Sequence, residues 1–203
     1  MIHIQVLDTT MVESKFTLEE QMMARAISNA TKARPRCMPN PWVGAVLVSS
    51  DGQTFDGFTQ EFGSGHAETV CLDEAGRKAQ GATLYVTLEP CSHSGKTGPC
   101  VERIIESRIS RVVIGMKDPD RQVCGEGIKS LQNAGVDVVV GVLEDLVAEQ
   151  LAPYVHHRNT GRPYVILKIA TTLDGKVAAP DGSSQWITAV SYTHLTLPTT
   201  GVV

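Results

Sequence analysis

The sequence predicts an α/β fold: a layered domain with helices on both faces of one sheet, followed by the start of a second α/β unit. Two observations carry this. Short apolar runs alternate with amphipathic stretches from residue 18 to residue 151, the pattern of strands joined by helices. Beyond them, Asn159-Thr-Gly-Arg-Pro163 reads as a linker, and Tyr164-Val-Ile-Leu-Lys-Ile-Ala170 starts a new strand.

Each element has its own signal. Thr17-Leu-Glu-Glu20 forms a capping box, and Leu18, Met22, Met23, Ala26, Ile27 and Ala30 follow at helical spacing, so a helix runs to just before Pro35. Pro39-Asn40-Pro41 is a stiff turn that fixes where Asn40 points. Residues 43–48 read as a buried strand, Asp51-Gly52 as a turn and residues 54–58 as a second strand. A glycine-bearing loop leads to a helix from His66 to about Ala79, with Gly81 closing it and residues 82–88 forming a strand. Cys100 opens a further helix with Val101, Ile104, Ile105 and Ile109 inward; strand 111–116, helix 127–134, strand 136–140 and helix 143–151 complete the series.

Composition narrows the function classes. The chain of 203 residues carries 42% apolar and 20% charged residues and a net charge of -4, which gives no basic footprint for nucleic acid. No apolar run approaches the ~18 residues of a spanning helix, and no signal-peptide pattern opens the chain, so a cytoplasmic protein without membrane contact is expected. Five cysteines without regular spacing fit a reduced compartment, and Cys37, Cys71 and Cys124 read as small buried apolar residues.

The chemistry is concentrated in His66-Ala-Glu68, Pro90-Cys91 and Cys100. One imidazole and two thiolates are the ligand number of a catalytic zinc site that leaves its fourth position to water. Glu68 is not needed as a ligand and is free to move protons. His-x-Glu followed by Pro-Cys and a second Cys marks the zinc nucleoside deaminases, although eight residues separate Cys91 from Cys100 where that pattern has two. A structural zinc site completed by His93 is the bland alternative, but it leaves Glu68 without a purpose. Cys100, at a helix start, has its thiolate favoured by the helix dipole.

Asn40-Pro-Trp-Val-Gly44, His66-Ala-Glu68, Gly81-Ala-Thr-Leu-Tyr-Val-Thr-Leu-Glu-Pro-Cys91, Ser92-His-Ser-Gly-Lys-Thr97 and Asp118-Pro119 together resemble the deaminase half of the bifunctional riboflavin-biosynthesis deaminase/reductase family, whose cysteine spacing is also eight. The resemblance implies a three-layer, cytidine-deaminase-like domain built on a mixed sheet. It implies hydrolytic deamination of a diaminopyrimidinone ribosylamino phosphate, with Zn2+ on His66, Cys91 and Cys100 and Glu68 as proton shuttle. Asn40, Lys96 and Asp118 become substrate residues, Lys96 suited to the phosphate.

Three positions depart from the family's usual pattern. Thr59 stands where a substrate-contacting His is usual, Asp120 follows Asp118-Pro119 where Asn is usual, and Gly98 replaces a Pro. A carboxylate added at Asp120 is expected to weaken binding of a phosphorylated substrate. The competing readings are a zinc deaminase of another nucleobase or nucleotide and a non-catalytic zinc-stabilised assembly module.

The predicted layout is a zinc deaminase domain over 1–158, the opening of an NADPH-dependent reductase domain over 159–188, and a tail, 189–203, that does not resemble the family. By resemblance, Ala170 and Trp186 match NADP-contacting positions and Ser184 a substrate position, but reductase activity is not expected from the fragment. Its apolar strand has no partner in the sequence, so a homo-oligomer is expected.

Overall fold

The computed structural model describes residues 16–34, 36–92, 98–120, 123–167, 171–178, 180 and 182. Five strands form one mixed sheet in the order β2-β1-β3-β4-β5. These are β1 (Gly44–Val48), β2 (Thr54–Phe58), β3 (Thr83–Leu88), β4 (Arg111–Met116) and β5 (Asp137–Val140). β1 runs antiparallel to both β2 and β3, and β3, β4 and β5 are mutually parallel. The parallel connections need crossover helices, and the sequence supplies them.

The helices are α1 (Leu18–Ala33), α2 (Ala67–Ala75), α3 (Cys100–Glu106), α4 (Glu126–Asn133), α5 (Glu144–Gln150) and α6 (Ala152–Thr160). α1 starts at the capping box: the Glu20 amide donates to Thr17 Oγ1 at 3.3 Å, and the Thr17 amide donates to the Glu20 carboxylate at 2.7 Å. Its Met23 and Ala26 pack with Val46, Tyr85 and Val113 on one face of the sheet. On the other face, Cys71 and Leu72 of α2, Ile104 of α3 and Leu131 of α4 join Leu47 and Leu84 in the main core. With helices on both sides, β1, β3 and β4 are buried almost throughout, whereas the edge strands β2 and β5 are partly exposed.

One close approach matters for the site. A Cβ on Gly57 would sit 2.2 Å from the Ala67 carbonyl, so the absence of a side chain in β2 lets the first turn of α2 lie directly on the strand. That contact fixes the depth at which His66 and Glu68 enter.

Three expectations need correcting. Asn159 and Thr160 are not linker but the end of α6, a helix the sequence reading did not foresee, because Leu151-Ala-Pro153 reads as an end although Pro is well tolerated in a first turn. Residues 164–167 form no strand, and no neighbouring strand pairs with them among the described residues; Val165 and Leu167 are exposed by 82% and 78%. Cys124 is exposed in a turn, while Cys37 and Cys71 are buried. The tail 189–203 lies outside the described residues.

Candidate active site

A cleft of about 260 Å³ opens at the carboxyl ends of β3 and β4, where an α/β sheet places its ligands. His66, Glu68 and Cys91 line one side of it. His66 is the N-cap residue of α2, in extended conformation, and its ring caps nothing. The imidazole is therefore available to the cleft, and Glu68 follows in the first helical turn with only 4% exposure. Cys91 comes two residues after Glu89, whose amide continues the sheet ladder to the Met116 carbonyl at 3.0 Å. Cys100 opens α3, and its amide donates to Cys91 Sγ at 3.4 Å. The helix-start amide thus serves the Cys91 sulfur, where the sequence alone predicts Cys100 as the beneficiary.

His66 Nδ1 lies 3.2 Å from Cys100 Sγ and 3.6 Å from Cys91 Sγ, and all three donor atoms fall within 4.8 Å of one another. Tetrahedral zinc, with Zn–N of about 2.0 Å and Zn–S of about 2.3 Å, needs donors roughly 3.6 Å apart. The set fits zinc through Nδ1, and three protein donors leave one position open.

Burial pushes the Glu68 carboxyl up to about 7. The side-chain hydrogen bond with Cys100 holds the Cys91 thiol well below its ordinary range against its burial, with His66 assisting. The same bond, and burial, push Cys100 up. A metal needs both as thiolates, so its binding displaces the shared proton.

The facing wall is made by Asp118, Asp120, Tyr154 and Arg158. The Tyr154 hydroxyl donates to the Asp118 carboxylate, 2.9 Å from Oδ1, and the Asp120 amide donates to the same oxygen at 2.8 Å. Burial raises the Asp118 carboxyl above its ordinary value. Arg158 Nη1 lies 3.2 Å from Asp120 Oδ2, and its guanidinium sits 5.3 Å from the Tyr154 ring centre.

This wall hangs on Glu89. Its buried carboxylate accepts from four backbone amides: Gly125 at 2.9 Å, Gly127 at 3.0 Å, and Asp118 and Ile128 each at 3.2 Å. A Cβ on Gly127 would meet the Pro90 carbonyl at 2.2 Å, so only glycine lets the start of α4 come this close. The sequence reading assigned no role to Glu89, Tyr154 or Arg158. A carboxylate ending a seven-residue run of strand formers was the available signal for Glu89; for the other two there was none.

Asn40, half-buried, also reaches the cleft. Thr59 lines it too, but its hydroxyl is tied to Val43, accepting from the amide at 3.1 Å and lying 3.3 Å from the carbonyl. Lys96, His93, Ala170, Ser184 and Trp186 lie outside the described residues.

Comparison with known proteins agrees with this geometry. Residues 17–116 match the family model of the cytidine and deoxycytidylate deaminase zinc-binding region, and residues 163–195 match the RibD C-terminal domain. The riboflavin biosynthesis protein RibD of Aquifex aeolicus is 45% identical over 172 residues, 85% of this chain and 48% of that protein. The solved diaminohydroxyphosphoribosylaminopyrimidine deaminase/5-amino-6-(5-phosphoribosylamino)uracil reductase of Thermotoga maritima is 44% identical, with a TM-score of 0.80 over 86% of this chain and 51% of the other. The Aspergillus oryzae Rib2 deaminase, solved in complex with DARIPP, is 28% identical with a TM-score of 0.57, covering 70% of this chain and 94% of the other. The chain thus spans about half the length of the bacterial relatives it matches.

Proposed function

This chain belongs to the riboflavin-biosynthesis deaminase/reductase family, and we propose that it catalyses the deaminase reaction: a diaminopyrimidinone ribosylamino phosphate and water give the 5-aminouracil product and ammonia. The observation that carries the proposal is the convergence of His66, Cys91 and Cys100, with buried Glu68 lining the same cleft.

His66 Nδ1 and the two sulfurs would hold zinc, which when bound lowers the pKa of a water from ~16 to about 7. Glu68 takes a proton from the water and delivers it to the departing amine, so one carboxylate serves both halves of the reaction. Its place in the cleft wall keeps that proton away from bulk solvent. Asn40 and Asp118 face the same space and orient the base or the sugar, with Tyr154 fixing the Asp118 carboxylate. Lys96 is a further polar candidate for the substrate, by resemblance.

The deaminase unit runs through α6, and the reductase-like segment begins near residue 163, where the second family model starts. Ala170, Ser184 and Trp186 belong to that segment, which would use NADPH. No helix among the described residues is long and apolar enough to cross a membrane. We place the protein in the cytoplasm, acting on a small molecule and self-associating through the exposed apolar residues 164–167.

The test is ammonia release from the diaminopyrimidinone ribosylamino phosphate by zinc-loaded protein, with Glu68→Gln alongside. The parent releases ammonia; the variant keeps its zinc and loses activity by about a hundredfold or more. No release by folded, zinc-replete parent overturns the substrate, and an unaffected Glu68→Gln variant overturns the role of Glu68.

A further inference from the structure

We propose that Arg158 is the substrate-selecting residue of this cleft: its guanidinium takes the phosphate of the substrate, and Asp120 holds it in place to do so. The proposal rests on the deaminase reading above, since that reading puts a phosphate on the substrate.

Depth comes first. Glu68 is 4% exposed, whereas the Arg158 side chain is 41% exposed. A substrate whose amine-bearing carbon reaches Glu68 must send its ribosyl phosphate outward, to the rim where Arg158 stands.

The charges of the lining point the same way. Four carboxylates line the cleft, those of Glu68, Glu89, Asp118 and Asp120, and Arg158 is the only lysine or arginine among the described lining residues. Glu89 has its oxygens engaged by four amides and Asp118 is tied to Tyr154. The rim carboxylate of Asp120 would repel a phosphate, but paired with Arg158 it becomes the anchor of a cation. The expectation that Asp120 weakens phosphate binding therefore reverses once its partner is seen.

The guanidinium is also preorganised. Tyr154 and Arg158 stand four residues apart on α6 and so share one face. The guanidinium engages Asp120 through Nη1 and lies against the Tyr154 ring, which fixes its plane. An arginine has five N–H donors, so one held by Nη1 still has donors to offer an incoming phosphate, and the planar fork suits two of its oxygens. With the Arg158 side chain 41% exposed, solvent screens the pair and limits its contribution to stability, so positioning is the better account of it.

The experiment compares Arg158→Met and Arg158→Lys with the parent, all zinc-loaded, on the phosphorylated substrate and on its dephosphorylated counterpart. Arg158→Met should raise KM for the phosphorylated compound about tenfold or more, with kcat little changed. KM for the dephosphorylated compound should not move, and Arg158→Lys should fall between parent and Met. Equal effects on the two substrates, or a fall in kcat with KM unchanged, would overturn the proposal. Should the folded, zinc-replete parent turn over neither compound, the deaminase reading fails separately, and calorimetry with ribose 5-phosphate decides. Binding about tenfold weaker in Arg158→Met sustains the assignment; equal or absent binding rejects it.

Discussion

The zinc-facing wall and the wall opposite it reach the same cleft by different routes. His66 sits at the start of a helix, Cys91 just beyond the end of a strand and Cys100 at the start of another helix, so each is aimed by the element it belongs to. Asp118 and Asp120 lie on a loop with no regular structure, and Tyr154 and Arg158 on a helix 36 residues further along for the Tyr154–Asp118 contact. What aligns that loop is one buried carboxylate, Glu89, reaching across from the strand that leads to Cys91. Local geometry suffices where a metal will complete the assembly. Where a substrate alone occupies the space, a fixed charge inside the protein does the aligning.

The comparison can be broken from either side. Cys91→Ser removes a donor from the first wall only. Zinc content should fall far below one per chain and ammonia release should disappear, while far-ultraviolet circular dichroism stays close to the parent's; metal analysis and spectroscopy on one sample check it. Retention of full zinc would show that Cys91 is not a ligand. Glu89→Ala attacks the second wall, leaving four amides without their acceptor. It should cost about 3–5 kcal/mol in urea unfolding, with zinc still bound to the folded fraction. A loss under about 1 kcal/mol would mean that the loop does not depend on Glu89. Thr17→Ala sharpens the contrast by touching neither wall: losing the cap of α1 should cost about 1 kcal/mol with KM unchanged.

The same contrast explains what could be read from the sequence. The capping box at Thr17, the apolar run before Glu89 and the helical spacing after His66 are short-range patterns, and the structure places α1, β3 and α2 close to where they predict. The three candidate donors were visible because their residue types are rare in combination. Arg158 was not, because an arginine in an amphipathic stretch looks like any solvated charge until the fold sets Asp120 beside it. Helix α6 was missed for a related reason: its buried contacts are few, so its sequence lacks a strong apolar stripe. Residues 164–167 have the composition of a strand, but a strand needs a neighbour, and none is present among the described residues.

The ladder from Thr87 to Glu89 sets how far the chain tolerates changes of length. The Thr87 hydroxyl oxygen accepts from the Gly44 amide at 3.1 Å and the Glu89 amide donates to the Met116 carbonyl at 3.0 Å, so a side-chain bond on one flank and a backbone bond on the other hold the end of β3 in register. Deleting one residue here would turn Glu89 to the opposite face and draw Cys91 out of reach in the same stroke, because side chains alternate along a strand. An extra residue in the exposed turn at 61–64 would disturb neither. Insertions and deletions between relatives of this chain should therefore collect in that turn and be absent from the five residues that end at Cys91.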